Sequence, residues 1–187
     1  MALSLSDIER IFLERGHRAY DGEPVSHLRH ALQTATLAEQ NGASPELVTA
    51  CLLHDLGHLL ADHPATPTLA GIDDKHQYFV LPFLRGLFGG GVLEPIRLHV
   101  EAKRYLSFVE PGYLQLLSED SRRSLALQGG SFDAMQATDF AALPGAPDAI
   151  RLRRWDDMAK SPTMSTGSLD YFLGVAEGIS RVAVASR

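Results

Sequence analysis

The run Val48-Thr-Ala-Cys-Leu-Leu53 leads directly into His54-Asp55-Leu-Gly-His58. An apolar stretch of this kind has to be buried, and burying it carries an imidazole and a carboxylate into the core as well. On a helix, His54 and His58 are one turn apart and share a face. Asp55 lies beside them, and its two oxygens can bridge two ions. Neutral imidazole and carboxylate together suit Fe, Mn, Zn or Ni better than Ca or Mg. The plainer alternative is a buried helix whose polar residues cap or hydrogen-bond locally. The rest of the chain decides between the two.

The flanking segments are patterned as helices. Leu3 to Arg15 is amphipathic, with Ile8, Ile11 and Phe12 on one face, Ser6 as N-cap, Glu9 three residues on, and Gly16 as its stop. Arg18 to Pro24 is a loop by its Asp-Gly and its Pro. Ser26 opens a second helix to Asn41, ended by Gly42, with His27 and His30 in its first two turns. Ser44-Pro45-Glu46 starts a third, which carries His54 and Asp55. Leu59 to Asp74 reads as a loop of lid length, with His63 an ordinary loop residue. Lys75 to Leu87 reads as a fourth helix. Gly89-Gly90-Gly91 reads as a turn without phosphate-binding spacing. Val92 to Tyr105 is a fifth helix, with His99 and Lys103 one turn apart. Helical segments follow at Pro111 to Leu127, Ser131 to Phe140, Pro147 to Lys160 and Ser168 to Ala185. No run alternates as a strand does, so the expectation is an all-α helical bundle.

At 187 residues the chain is expected to be a single domain over 1–187, its metal-site core at about 20–160. A formal net charge of −6 argues against a general nucleic-acid binder. Cys51, the only cysteine, allows no intrachain disulfide and points to a reducing compartment. No signal-peptide pattern opens the chain, and no apolar run approaches the roughly 20 residues of a membrane span. A soluble, cytoplasmic protein with no membrane partner is the expectation; the oligomeric state is open.

The ligand candidates are His30, His54, Asp55, His76, His99 and one of Asp156 or Asp157. Apart from the adjacent pair, each comes from a different helix, and bundles build metal sites from inward side chains of facing helices. Four histidines and two carboxylates exceed the needs of one tetrahedral ion and suit two ions sharing Asp55. Any one of His30, His76 or His99 alone reads as a surface residue; their joint occurrence with His54-Asp55 is the signal.

The order H…HD…D formed by His30, His54-Asp55 and a late Asp resembles the HD-domain pattern, with His76 and His99 inserted as in its dinuclear branch. Tyr20-x-Gly-Glu23, Leu-Leu-His54-Asp55-Leu-Gly-His58, Ala-Lys103-Arg-Tyr-Leu, Ser121-Arg, Gln128-Gly-Gly and Arg153-x-Trp-Asp156 resemble the phosphonate-cleaving HD-domain oxygenases of the PhnZ and TmpB type. The likeness runs from about Tyr20 to Lys160; myo-inositol oxygenase shares the architecture more distantly. The resemblance implies a mixed-valence Fe(II)/Fe(III) pair and O2 as co-substrate. One iron would take His30, His54, Asp55 and Asp156, the other Asp55, His76 and His99. Lys160, one turn past Asp156, would orient that ligand, and Asp157 would be a solvated or outer acid. The implied substrate is a 1-hydroxy-2-aminoethylphosphonate or its trimethylammonio form. Its 1-hydroxyl and a phosphonate oxygen would chelate an iron, and the products would be glycine or glycine betaine plus phosphate. Lys103, Arg153, Ser121 and His58 would hold the phosphonate end. Tyr20 and Glu23 would meet the nitrogen end, Tyr20 also capping the open iron position. Tyr20, His58 and Lys103 are the residues assigned to the chemistry. Tyr105, Phe108 and the loop Leu60 to Ile72 would shape the space around the nitrogen.

Two other readings share these residues. One is an HD-type metal-dependent phosphohydrolase of a nucleotide or other phosphoester. The other is a non-catalytic helical domain with a structural metal.

Overall fold

Helix α3 (Pro45–Leu53) is the apolar run made into a core element: every residue from Leu47 to Leu53 is buried. Ser44 caps it by accepting the Leu47 amide, and Pro45 occupies the first turn, where its missing N–H costs nothing. The structure is a computed structural model and describes residues 2–20, 22–61 and 67–181. Helices α2 (His27–Gln40), α7 (Gly90–Val109), α11 (Ala146–Met158) and α12 (Leu169–Gly178) pack around α3, and α11 lies along both α2 and α7. Leu52, Leu53, Leu56, Val80, Ile96, Leu152 and Phe172 belong to the main apolar cluster these helices share. Smaller clusters lie beyond α7, one around Leu98, Phe132 and Phe140, the other around Leu106, Tyr113 and Leu125. The described residues contain no strand, only an isolated bridge between Ala19 and Ser26. The all-α expectation holds.

Several boundaries differ from the sequence reading. Helix α1 (Leu5–Arg15) is capped by Ser4 and Asp7, not Ser6 and Glu9; the two side chains and amides bond reciprocally. Helix α3 does not carry His54 and Asp55 in one piece. His54 is its C-cap, Asp55 leaves helical geometry at φ −102°, ψ 9°, and α4 (Leu56–Leu60) starts afresh. The expected fourth helix is two short ones, α5 (His76–Phe79) and α6 (Leu81–Leu84). Pro82 has no N–H with which to continue the first into the second. Lys75 enters α5 in the left-handed region at φ 50°. Gly90 and Gly91 are the first residues of α7 rather than a turn. Helices α8 (Tyr113–Leu116) and α9 (Glu119–Leu127) fall within their expected segment, and α10 (Ala134–Ala141) starts inside its own and ends one residue beyond it. His63 and residues 182–185 of the expected last helix lie outside the described residues. Cys51 is buried and free, as its place in an apolar helix implies. No described helix is long and apolar enough to cross a membrane.

Candidate metal centre

Five packed elements bring six side chains to one point. Helix α2 supplies His30, the α3–α4 break supplies His54 and Asp55, α5 supplies His76, α7 supplies His99 and α11 supplies Asp156, all buried. They fall into two groups of converging donor atoms, His30–His54–Asp156 and Asp55–His76–His99. In the first, His30 Nε2 lies 3.3 Å from His54 Nε2 and 3.3 Å from Asp156 Oδ1. In the second, His76 Nε2 lies 3.1 Å from His99 Nε2 and 3.3 Å from Asp55 Oδ1. Asp55 joins them: its Oδ2 lies 3.3 Å from His54 Nε2 while its Oδ1 faces His76 and, at 3.7 Å, His99.

The outer ring nitrogens explain this convergence. His30 Nδ1 donates to the Ala159 carbonyl at 2.9 Å, His54 Nδ1 to the Cys51 carbonyl at 2.9 Å, and His99 Nδ1 to the Ile96 carbonyl at 2.7 Å. A carbonyl only accepts, so each Nδ1 carries the proton and each Nε2 turns a lone pair inward. His76 Nδ1 is held at 2.9 Å by Asp74 Oδ1. Lone pairs of neutral imidazoles cannot hydrogen-bond one another. Donors sharing an ion at about 2.1 Å stand about 3.0–3.4 Å apart, close to the spacings found. The donor set therefore fits a cation in each group, bridged by Asp55. Burial opposes ionisation of Asp156, but the Arg153 guanidinium beside it outweighs that and holds its carboxyl well below the usual carboxylate range.

Above the donors is a cavity whose walls include Tyr20, His58, Lys103, Ser121 and Arg153. The Tyr20 hydroxyl donates to Asp55 Oδ2 at 2.8 Å, and its ring stacks on His30 with centroids 4.0 Å apart. Burial, then the Asp55 charge, keep its phenol protonated. His58 does not share a straight helical face with His54, because the chain breaks at Asp55. Instead its ring stacks on His76 at 3.9 Å and its Nδ1 lies 2.6 Å from Asp74 Oδ2. Lys103 Nζ donates to Ser124 Oγ at 2.6 Å.

Three expectations need correction. Glu23 is not among the described residues lining the cavity; its carboxylate is drawn to Lys160 Nζ at 2.9 Å. Lys160 accordingly does not orient Asp156, and reaches Ser118 Oγ at 3.1 Å instead. Asp157 is no solvated acid, for it pairs with Arg153 and accepts the Tyr113 hydroxyl. Arg153 does line the cavity, but its guanidinium is shared between Asp157 and Asp156 Oδ2, the latter at 2.8 Å, so much of its charge is already answered. Tyr105 packs on Phe140 and Phe108 is largely exposed; the described loop residues on the cavity wall are Pro67, Thr68 and Ile72. Asp74 escaped the sequence reading although its place two residues before His76 was a usable signal.

This is the fold and donor arrangement of an HD-domain metalloprotein, and residues 27–128 match the HD domain family. The chain is 38% identical over 162 residues to the [1-hydroxy-2-(trimethylamino)ethyl]phosphonate dioxygenase (glycine-betaine-forming) of Leisingera caerulea, covering 87% of this chain and 83% of that protein. It is 41% identical over 169 residues to the hydroxymethylphosphonate dioxygenase of Gimesia maris, covering 90% and 84%. An uncharacterised protein of Acanthamoeba polyphaga mimivirus is 31% identical over 172 residues, covering 90% and 78%. The chain belongs to the HD-domain family, in its branch of phosphonate-cleaving oxygenases, and is an oxygenase.

Proposed function

We propose that the protein holds two irons, Fe(II) and Fe(III), and uses O2 to cleave the C–P bond of a 1-hydroxyphosphonate. His30, His54, Asp55 and Asp156 would hold one ion; Asp55, His76 and His99 the other. The observation that carries this reading is the pair of inward donor groups sharing Asp55 beneath a cavity with a buried ammonium. When bound, the pair supplies Lewis acidity and the one-electron chemistry that dioxygen needs.

The overall change closes without an external reductant. The hydroxyphosphonate HO–CHR–PO3 and O2 become the carboxylate R–COO and phosphate. The C–P bond breaks, the carbon gives up four electrons, and dioxygen takes all four. With R as hydrogen the carboxylate is formate; with an aminomethyl or trimethylammoniomethyl group it is glycine or glycine betaine. The two named relatives bracket these choices, acting on a one-carbon and on a trimethylamino substrate.

The protein's own groups then have distinct tasks. Lys103 meets the phosphonate as an ammonium, aided by the Ser121 hydroxyl. His58, braced against Asp74 and stacked on His76, presents Nε2 toward the substrate's oxygens. Arg153 keeps Asp156 ionised and aimed at the donor group. Tyr20 covers Asp55 through its hydroxyl and must give way for substrate to reach the centre.

The test is phosphate release from 1-hydroxyphosphonates by iron-loaded protein with and without air. Release should require oxygen and yield one carboxylate per phosphate. Equal release under strict anaerobiosis would overturn the oxygenase reading.

A further inference from the structure

The loop between α1 and α2 is a closed turn. Tyr20 N donates to the Val25 carbonyl at 3.0 Å, and Glu23 N to the Tyr20 carbonyl at 2.7 Å. Tyr20 is thereby aimed at Asp55, while Glu23 turns to Lys160, two residues past the end of α11. Glu23 Oε1 and Lys160 Nζ are 2.9 Å apart, with side chains only 13% and 16% exposed. Lys160 is fixed further by Ser118 Oγ, and its Nζ lies 3.5 Å from Ser121 Oγ on the cavity wall.

A carboxylate held this way has its charge answered. To serve a substrate's cation, Glu23 would have to release Lys160, leaving a second, half-buried ammonium beside the incoming one. A trimethylammonium has no N–H and cannot replace the hydrogen bond that Lys160 gives.

The other cavity walls lead to the same conclusion. Quaternary ammonium groups are held by open aromatic faces. Apart from histidines, Tyr20 is the only aromatic among the described lining residues. One of its faces is covered by His30, and His27 stands edge-on to it at 5.1 Å. Of the remaining described acids on the wall, all but Asp73 are committed to cations or donor groups as well. Asp55 and Asp156 face the donor groups, and Asp74 is shared by His58 and His76. Asp120 pairs with Arg123 at 3.1 Å, and Asp73 accepts the Lys75 amide at 3.4 Å. The apolar wall is aliphatic: Pro67, Ile72, Val100 and Leu127.

We infer that this cavity takes a 1-hydroxyphosphonate whose remaining substituent carries no positive charge, and that Lys160 sets this preference by acting as the resident counter-ion of Glu23. The inference rests on the oxygenase reading. Hydroxymethylphosphonate is the smallest member of the class.

The experiment compares kcat/KM for hydroxymethylphosphonate and 1-hydroxy-2-(trimethylammonio)ethylphosphonate in air, reading phosphate, with the iron-loaded wild type and Lys160→Met. The wild type should favour the uncharged compound by about tenfold or more, the scale of a like-charge contact. Lys160→Met frees the Glu23 charge and should move the ratio about tenfold or more toward the cationic compound; adding Glu23→Gln to Lys160→Met should reverse that movement. A wild type that prefers the cationic substrate overturns the inference while leaving the oxygenase reading intact, and this comparison needs no variant to fold. An unchanged ratio in folded Lys160→Met also overturns it. Phosphate from neither compound removes the oxygenase reading and the inference together.

Discussion

Lys103 is the residue whose charge the fold controls most directly. It is 3% exposed, and burial, then the Arg153 guanidinium, push its ammonium down to about 7. Below that value it is a cation ready for a phosphonate; above it the amine is neutral and the attraction is lost. The free enzyme's kcat/KM should therefore fall as pH rises through about 7, and Lys103→Arg, whose guanidinium stays charged, should flatten that limb. On the acid side, Lys103→Ala should lower kcat/KM about ten- to a hundredfold, since a charge-assisted hydrogen bond contributes about 1.5–3 kcal/mol. Phosphate-release kinetics across that range would check both; an alkaline limb that survives in Lys103→Arg assigns the titration elsewhere. At this scale five of the six inward donors were readable as candidates from their joint occurrence with His54-Asp55, while Asp156 was separated from Asp157 only by the resemblance that Arg153-x-Trp-Asp156 carries. The partners of long side chains were less readable. Arg153 had its two acids at i+3 and i+4 in plain view, a spacing that faces them on any helix. Glu23 and Lys160 are 137 positions apart, and only the packing of α11 against α2 brings their loops together.

Between elements, the site depends on two helix breaks that periodicity did not disclose. The chain turns at Asp55 so that α4 can lie against α5, and the contact between them is a backbone approach at Gly57. A Cβ there would stand 2.4 Å from the His76 carbonyl oxygen and 2.9 Å from its carbon. Backbone atoms cannot swing aside, so Gly57→Ala must push α5 away. That would part the His58–His76 stack and withdraw His76 from Asp55. The expected outcome is a loss of about 1–3 kcal/mol of stability, as for other overpacked sites, with selective loss of the ion assigned to Asp55, His76 and His99. Denaturant unfolding and metal analysis would show it; unchanged stability with two ions retained would mean the elements have slack that the geometry denies. The sequence held the glycine but not its partner, because a close backbone approach exists only once both helices are placed. The caps at Ser26 and Ser44, by contrast, act within four residues and were readable as they stand.

Over the whole molecule, folding and metal binding are one process. Packing α2, α3, α7 and α11 around their apolar faces forces inward lone pairs and two carboxylates together. Without cations these groups oppose the packing that assembles them; with cations they reward it. Metal should therefore stabilise the fold by mass action, by about 2.7 kcal/mol per site at a hundredfold excess over its dissociation constant. In a chain of this size about 1 kcal/mol shifts the midpoint by about 2–4 °C, so each site filled should raise melting by roughly 5–10 °C. The increments separate a bridging Asp55 from a terminal one. His99→Ala removes a donor from one group only and should keep about half of the wild-type rise on adding Fe(II) anaerobically to stripped protein. Asp55 faces both groups, with one oxygen to His54 and the other to His76. Asp55→Ala should lose most of the rise from both sites, although it removes no more ligands than His99→Ala. Melting curves of the stripped and reloaded proteins, with metal counted per chain, decide the matter. If Asp55→Ala keeps the same partial rise as His99→Ala and still binds one ion tightly, Asp55 serves a single ion and the two donor groups are not coupled through it.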